Sequence, residues 1–290
     1  MPRIGKQELI ALAGAALEGG GVRAGGAKAI AEALVLADMQ GLASEGVARV
    51  PGYIDAIRRG HADAAAEPAI LVHRGAVCLV DARDPVAAYE ACSLAVNEAI
   101  ERARKHGVGF ASVTNSSDCG ALVNCLLPVA AAGMVGIGFA NSPAAALAEE
   151  ETRAFCGESP IAAVFPRRES DPIVIDLSLA STDGAAATML VLMVELMVCS
   201  LAGAAFGFEA AQTGSDRPRT GQAFLAVDPA ALAGRGSYYS RVETLVTALL
   251  GDPEARLPGE RRQRSYDAAA LAGIDIPDAL QRQLHELARR

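Results

Sequence analysis

The chain has 290 residues, 51% of them hydrophobic, so it can bury one large core or two joined ones. Its net charge of -8 and pI near 5.1 argue against nucleic acid or an anionic membrane surface as a partner. The N-terminus has the pattern of an amphipathic helix and not of a secretory signal peptide. Six scattered cysteines without a Cys-x-x-Cys pair predict a cytoplasmic protein with reduced thiols: Cys78, Cys92, Cys119, Cys125, Cys156 and Cys199.

The predicted elements run from helices into an alternation of strands and helices. Helices are expected at 6–19, 27–40, 45–59, 85–106, 120–132, 239–250 and from Asp278. Strands are expected at 69–72, 77–80, 108–114, 134–140, 161–165, 173–177 and 223–227, and residues 212–221 and 251–265 read as irregular. The pattern predicts an α/β fold in three parts. These are a helical N-terminal segment (1–68), a central α/β domain (69–222) and a C-terminal segment (223–290) packing back on the N-terminal helices.

Residues 188–206 are apolar except for Glu195 and have about the length of a membrane span. A carboxylate near the middle of such a span is costly in lipid, and the rest of the chain has the pattern of a soluble α/β protein. We therefore expect a buried helix, placed at a subunit interface, and no membrane span.

Motifs for phosphate or metal binding are missing from the sequence. Gly133, Gly136 and Gly138 do not have the GxGxxG spacing and lie in a predicted strand, where we expect them to permit close packing. There is no Walker motif and no HExxH, and the four histidines are dispersed. No metal site and no Ser-His-Asp triad are predicted.

The segment 37–53 (ADMQGLASEGVARVPGY) combines a capping signal with a pair of opposite charges. Ser44 is a candidate cap for a helix that begins near Glu45. Glu45 and Arg49 are four residues apart, the spacing of an ordinary ion pair on a helix face. On this pattern alone, an exposed structural ion pair is the plain interpretation.

The same segment resembles the signature of the malate/L-lactate/ureidoglycolate dehydrogenase family, an aspartate-led stretch with Ser-His-Gly, then arginine, proline and tyrosine. NSSDCG at 115–120 is similar to the family's Asn-Ser-x-His-Phe-Gly, and GESPIA at 157–162 to its Gly-Thr-Asn-Pro-Ile-Ala. Further similar stretches follow the family's order at 133–142, 173–181, 192–207 and 258–262. The resemblance implies a mixed, non-Rossmann L-sulfolactate dehydrogenase-like α/β fold. It also implies a homodimer with active sites at the subunit interface.

The resemblance implies site residues, and two of them depart from the family's pattern. Glu45 and Asp118 stand where relatives have active-site histidines, and both are acid–base groups, so we assign them catalytic roles together with the retained Asp176. Arg49 matches an arginine that resembles a clamp for a substrate carboxylate. Substrate contacts are further expected from Ser44, Asn115 and Ser116.

The cofactor-binding positions depart further from the family. Acidic residues at 149–151 replace a glycine pair, and Glu158-Ser159 replaces Thr-Asn. Residues 181–184 run almost directly into the next helix, where relatives have a long excursion with a Lys-Gly-Tyr-Gly-Leu segment. Negative charge is unfavourable beside a pyrophosphate. The sequence therefore favours loss of NAD and no cofactor-binding residues.

Three hypotheses follow for the function. The leading one is a cofactor-independent enzyme acting on a small 2-oxo, 2-imino or 2-amino acid, by elimination, hydration, isomerisation or cyclisation. The second is an NAD(P)H-dependent reductase of a 2-oxo acid or cyclic imine, and the third a non-catalytic binding protein on the same fold. A nucleophilic role for Cys119 is disfavoured, because the neighbouring Asp118 raises a thiol pKa.

Overall fold

A mixed sheet forms the centre of the protein in a computed structural model, which describes residues 3–144, 157, 159–177, 185–212 and 219–289, without the Pro85 side chain. The strands are β1 (Arg3–Ile4), β2 (Ala69–Arg74), β3 (Val77–Asp81), β4 (Val108–Ser116), β5 (Val135–Ala140), β6 (Ile161–Phe165), β7 (Ile173–Leu177), β8 (Thr220–Val227) and β9 (Ile274–Asp275). The helices are α1 (Lys6–Gly19), α2 (Ala24–Met39), α3 (Val50–Arg58), α4 (Ala88–His106), α5 (Leu122–Ala131), α6 (Ala185–Glu195), α7 (Gly207–Gln212), α8 (Arg235–Leu250), α9 (Glu260–Ala272) and α10 (Asp278–Ala288).

The strand order of the main sheet is β2-β3-β4-β8-β5-β6-β7, and only the β3–β4 pair is parallel among the described neighbours. Because β4 and β5 both pair antiparallel with β8, they run in the same direction and end at the same edge of the sheet. Strands β3 and β7 also end there, and β6 and β8 begin there. We call this edge the site edge.

Helices cover both faces of the sheet. On one face, α4 packs on β3, β8 and alternate residues of β4, including Ala111 and Val113, and α5 packs on β5 and β6. Gly136 and Gly138 permit this packing: a Cβ on Gly136 would lie 2.9 Å from Val164 Cγ2, and one on Gly138 3.3 Å from Leu126 Cδ1. The predicted close packing at these glycines is confirmed. On the other face, α6 and the π turn after it (Leu196–Ser200) pack on β5 and β8.

A second core joins the two ends of the chain. Leu9 and Leu17 of α1 and Leu284 of α10 are fully buried together, and β1 pairs with β9. The C-terminal helix thus packs on the N-terminal helices. Strand β8 crosses the predicted boundary at 222–223, so residues up to Val227 belong to the central sheet.

Two local predictions are wrong. The third helix begins at Val50 and not near Glu45, because two short 3-10 turns (Ala43–Glu45 and Val47–Arg49) precede it and Ser44 caps neither them nor the helix. Residues 251–265 are not all irregular, since α9 begins at Glu260. Tertiary contacts hold α9 in place, among them an ion pair between Arg262 and Asp176 of β7.

The apolar run around α6 is only half buried. Val194 and Val198 are fully buried, whereas Met189, Leu196 and Leu201 are 68%, 58% and 62% exposed. We call the exposed side the α6 apolar face. In the described part of the chain, no helix has the length and apolar character needed to cross a membrane.

Candidate active site at the edge of the sheet

The site edge gathers polar side chains from strands that are distant in sequence. Asn115 follows Thr114 near the end of β4, and its side-chain amide donates to Asp81 Oδ1 at the end of β3 over 3.0 Å. Asn115 has a φ of 52°, in the left-handed region that asparagine tolerates better than most residues. Ser116 is fully buried, and its carbonyl accepts from the Thr220 hydroxyl on β8. These bonds fix the start of the loop that carries Asp118.

The segment with Ser44, Glu45 and Arg49 is held beside this loop by Asp38 on α2. The Asp38 carboxylate accepts from the Val47 backbone N–H over 2.8 Å. It lies so close to Gly46 that a Cβ there would be 1.9 Å from Asp38 Oδ1. Burial raises the pKa of Asp38 to about 6, although the bond from Val47 acts in the opposite direction. A glycine is therefore required at 46, and the half-buried Asp38 carboxyl beside it sets the course of the turn.

Arg49 is the centre of the site. Its Nη2 lies 2.8 Å from Glu45 Oε2, its Nη1 lies 2.7 Å from Asp118 Oδ2, and its Nε donates to the Ser44 carbonyl over 3.0 Å. The other carboxylate oxygen of Asp118 accepts from the Gly120 backbone N–H at 2.8 Å. The expected meeting of Ser44, Glu45 and Arg49 with Asp118 is thus present in the structure. Ser44 takes part through its carbonyl group.

The electrostatics keep Arg49 charged. Partial burial lowers its pKa, but the charge and hydrogen bond of Asp118, with contributions from Tyr53 and Tyr89, together raise it by more, so the net pKa is above the ordinary value. Arg49 retains a quarter of its side-chain exposure and Asp118 about half. A small anion can therefore reach this guanidinium, which offers planar, bidentate hydrogen bonding to carboxylates.

Two phenols to which the sequence analysis gave no role lie beneath Arg49. The hydroxyls of Tyr53 on α3 and Tyr89 on α4 are 3.2 Å apart, and the rings meet edge to face. Burial raises the pKa of both, so both remain neutral O–H donors at neutral pH. Tyr89 also contacts Gly120, where an added Cβ would lie 3.1 Å from its hydroxyl.

A cavity of about 230 Å³ lies between α2, α4 and α5 beside these residues. Its lining includes Glu45, Tyr89, Cys119, Asn124 and Cys125. Cys119 is buried, and hydrogen bonding with the neighbouring thiols together with burial raises its pKa. A raised thiol pKa disfavours a role as nucleophile, as the sequence analysis expects.

Asp176 does not join this group within the chain. Its strand β7 is separated from β4 by β8, β5 and β6, four strand spacings or roughly 19 Å. There the carboxylate is paired with Arg262 of α9. The structure places Asp176 at the same edge of the sheet but not against Arg49.

The other part of the site edge carries one buried hydroxyl for which the described residues offer no partner. Ser159, just before β6, is fully buried, and its Oγ has no hydrogen-bond partner among the described residues. Asn141, just after β5, accepts from Gly221 N–H and donates to the Ala205 carbonyl. An unpartnered buried hydroxyl is costly unless a bound molecule satisfies it. Residues 149–151, 158 and 181–184, on which the prediction of cofactor loss rested, lie outside the described residues.

The fold defines a class of protein, the non-Rossmann L-sulfolactate dehydrogenase-like fold, which solved dehydrogenases and reductases share. The structure aligns with Δ1-piperideine-2-carboxylate reductase from Pseudomonas syringae pv. tomato at a TM-score of 0.86 and 26% identity, over 99% of this chain and 100% of that one. It also aligns with sulfolactate dehydrogenase from Methanocaldococcus jannaschii at a TM-score of 0.87 and 21% identity, over 99% and 97% of the chains. The predicted L-sulfolactate dehydrogenase-like fold is confirmed.

Sequence comparison places the chain in one family. The model of the malate/L-lactate dehydrogenase family matches residues 4–188 and 184–285, so the chain belongs to that family. It is similar to (2R)-3-sulfolactate dehydrogenase (NADP⁺) of Chromohalobacter salexigens, with 32% identity over 330 residues and 98% of each chain. It is also similar to the Δ1-pyrroline-2-carboxylate/Δ1-piperideine-2-carboxylate reductase of Pseudomonas syringae pv. tomato, with 29% identity over 90% of this chain and 89% of the relative.

These relatives overturn the leading hypothesis from the sequence. The prediction of a cofactor-independent lyase or isomerase is wrong, and so is the prediction of cofactor loss, because relatives over nearly the whole chain are an NADP⁺ dehydrogenase and reductases. The prediction of cofactor loss assumes that the acidic residues at 149–151 face a pyrophosphate, which a sequence position alone does not establish. The second hypothesis, an NAD(P)H-dependent reductase, is the one that the relatives support.

Proposed function

We propose that the protein is an NAD(P)H-dependent reductase of a small cyclic 2-imino acid or 2-oxo acid. The observation that carries the proposal is the charged guanidinium of Arg49, fixed at the site edge of this dehydrogenase fold. Its Nη1 and Nη2 atoms pair with Asp118 and Glu45, but each keeps a second N–H, and these two are the groups proposed to receive a substrate carboxylate. When bound, the reduced nicotinamide supplies the hydride that the C=N or C=O carbon accepts.

The residues present fit a bound dinucleotide at the second half of the site edge. The buried Ser159 hydroxyl, which has no partner among the residues that the structure describes, is a hydrogen-bonding group that a polar ligand would satisfy. The Asn141 side chain is already bonded to two backbone groups, so it lines this region and cannot turn toward a ligand without losing those bonds. We assign Ser159 as a cofactor contact on this basis.

The ion-paired state of the site favours a C=N substrate. Asp118 is paired with Arg49, and an ionised carboxylate accepts hydrogen bonds but donates none. A protonated cyclic imine brings its own proton, so its reduction needs an N–H acceptor and a carboxylate clamp. In this proposal Arg49 binds the substrate carboxylate, and Asp118 and Glu45 accept from the ring nitrogen.

A 2-oxo acid is the second candidate, supported by the sulfolactate dehydrogenase relative. Reduction of C=O needs a proton for the oxygen atom, and an ionised Asp118 cannot supply it. The Tyr89 phenol, which lines the cavity beside Arg49, carries an O–H that could supply this proton, and burial, by raising its pKa, makes it a weaker acid than an ordinary tyrosine. In either case, the loops of the site are held in place by Ser44, Asn115 and Ser116. Asp176 remains a predicted catalytic residue that lies outside the Arg49 group.

We also propose a homodimer. The α6 apolar face presents Met189, Leu192, Leu196 and Leu201 to solvent in the isolated chain. Contiguous exposed apolar side chains of this kind mark an interaction surface. A second copy of the chain is the occupant expected from the family resemblance.

The direct test is oxidation of NADPH and NADH in the presence of Δ1-piperideine-2-carboxylate, 3-sulfopyruvate and pyruvate, followed by loss of nicotinamide absorbance. We expect turnover of the cyclic imine with a kcat/KM at least about tenfold above that of the 2-oxo acids, corresponding to about 1.4 kcal/mol. A higher kcat/KM for a 2-oxo acid would favour the second candidate. No turnover of either class with either nucleotide would contradict the proposal.

A further inference from the structure

Three thiols from separate elements converge beside the cavity. Cys92 of α4, Cys119 of the loop after β4 and Cys125 of α5 have Sγ atoms within 4.8 Å of one another. Cys92 is fully buried, Cys119 nearly so and Cys125 half-buried. The Cys92 thiol also donates to Gln222 Oε1 of β8 over 3.4 Å. Cys92 and Cys119 are 27 positions apart, and Cys119 and Cys125 are 6 apart, so no metal-binding spacing motif indicates the cluster in the sequence.

We propose that Cys92, Cys119 and Cys125 form a binding site for a thiophilic divalent metal ion, with Zn²⁺ as the best fit. Three thiolates around one Zn²⁺ lie roughly 4 Å apart, since each Zn–S bond is about 2.3 Å. The observed limit of 4.8 Å is within about 1 Å of that geometry, so side-chain rotation closes the site. Each thiol releases its proton to water as it ligates the ion.

The cavity supports a metal site over a plain apolar role for these cysteines. Buried cysteines commonly act only as small apolar residues. Here, however, Cys119 and Cys125 line the cavity, which gives an ion a route to the sulfurs. Asn124 lines it too, and its Oδ1 is buried without a hydrogen-bond partner among the described residues. Three thiolates thus leave the fourth position of a tetrahedral ion open to the cavity, to a water molecule or this amide.

The thiols lose their protons only when an ion binds. The three thiolates then carry three negative charges in a largely buried place, beside the Asp118 carboxylate, and a divalent ion neutralises two of them where a monovalent ion would neutralise one. The bound ion would tie the loop that carries Asp118 to α4 and α5. In this way it would position Asp118 against Arg49 without contacting a substrate. The inference does not depend on the proposed reductase function.

The test uses the untagged, reduced, metal-free full chain, titrated with Zn²⁺ against a chromophoric chelator. Co²⁺ serves as a second probe through its thiolate charge-transfer absorption. We expect one Zn²⁺ per chain, a Co²⁺ charge-transfer band, and a rise in Tm on Zn²⁺ addition. In Cys125→Ala the affinity should fall at least about 100-fold and the band should weaken.

Cys78→Ala is the matched control, because Cys78 is a buried thiol of β3 outside the cluster. It should keep the affinity and the band. Cys125 is half-buried, so its truncation is tolerated even where Cys92→Ala fails to fold. The proposal would be overturned if the wild type bound Zn²⁺ no more tightly than Cys125→Ala. It would also be overturned if Cys78→Ala and Cys125→Ala lost the same Zn²⁺ affinity.

Discussion

At the residue scale, Arg49 joins the two acidic residues that replace the family's histidines. One guanidinium contacts Glu45, Asp118 and the Ser44 carbonyl at once, through three different nitrogens. A lysine at this position is a point charge with a different reach and cannot hold the same fork of contacts. The fixed planar geometry, more than the charge alone, makes this residue suitable for a carboxylate substrate.

Arg49→Lys should therefore lower kcat/KM for the best substrate by about 10–100-fold, mostly through KM, because a charge-assisted bond worth about 1.5–3 kcal/mol is lost. Steady-state kinetics measure the effect. Arg59→Lys, in the exposed Arg59–Asp55 pair of α3, is the matched control and should leave both constants unchanged. Equal effects of the two substitutions would remove Arg49 from the binding site.

Asp38 gives a pH dependence whose sign follows from its raised pKa. The folded protein holds the Asp38 proton up to about pH 6, whereas the unfolded chain releases it near 3.8. The stability contributed by this group is thus full below pH 3.8 and is lost as the pH rises through about 6. Asp38→Asn keeps an acceptor for Val47 N–H but has no charge to bury. Above about pH 7, the free energy of unfolding of Asp38→Asn should exceed that of the wild type by up to about 3 kcal/mol.

Urea unfolding across this pH range measures the difference. The difference in free energy of unfolding between Asp38→Asn and the wild type should shrink as the pH falls through about 6. The corresponding difference for Asp55→Asn, at an exposed residue, should not change in this way. An Asp38→Asn difference that is constant with pH would show that burial of the charge is not its cause.

At the element scale, the turns between α2 and α3 depend on Gly46. An added Cβ at 46 would meet the Asp38 carboxylate, whereas one at Gly52 in α3 would meet nothing within 4 Å. Gly46→Ala should lower the free energy of unfolding by about 1–3 kcal/mol and also reduce activity, since it displaces Glu45 and Arg49. Gly52→Ala should raise it by about 0.5–1 kcal/mol. Chemical denaturation of both variants checks the contrast, and similar changes in the two would contradict the account.

Most elements could be predicted from the sequence because their periodicity reflects burial. Strand β6 and helix α1 lie where the apolar pattern places them. The 3-10 turns before α3 could not be predicted, because they result from the tertiary contact of Asp38 with Val47 N–H. Helix α9 has no buried residue, so it carries no amphipathic signal.

The site was predictable only in part. Glu45, Arg49 and Asp118 were found together because the resemblance fixed their positions in family motifs. Tyr89 and Cys92 were missed, since they lie on the buried side of α4 and meet the site through tertiary packing. The position of Asp176, four strands away from β4, depends on a strand order that sequence patterns do not reveal.

At the scale of the whole molecule, the α6 apolar face predicts the assembly state. Leu196→Asp and Met189→Asp place a charge on a surface that a homodimer would bury, so each should shift the protein toward monomer. Sedimentation velocity measures this shift. Leu271→Asp is the control, because Leu271 is 91% exposed on α9, outside the α6 apolar face. A wild-type monomer, or unchanged assembly in both α6 variants, would contradict the proposed dimer.

The proposed reductase must bind a nicotinamide cofactor even though acidic residues occupy positions 149–151. The most direct measurement is a titration of the purified protein with NADPH and NADH, followed by nicotinamide fluorescence. We predict saturable binding of one nucleotide per chain, with half-saturation below about 1 mM, the upper end of ordinary KM values. Ser159→Ala should weaken that binding. Absence of saturation with both nucleotides at millimolar concentration would contradict the proposed NAD(P)H-dependent reductase function.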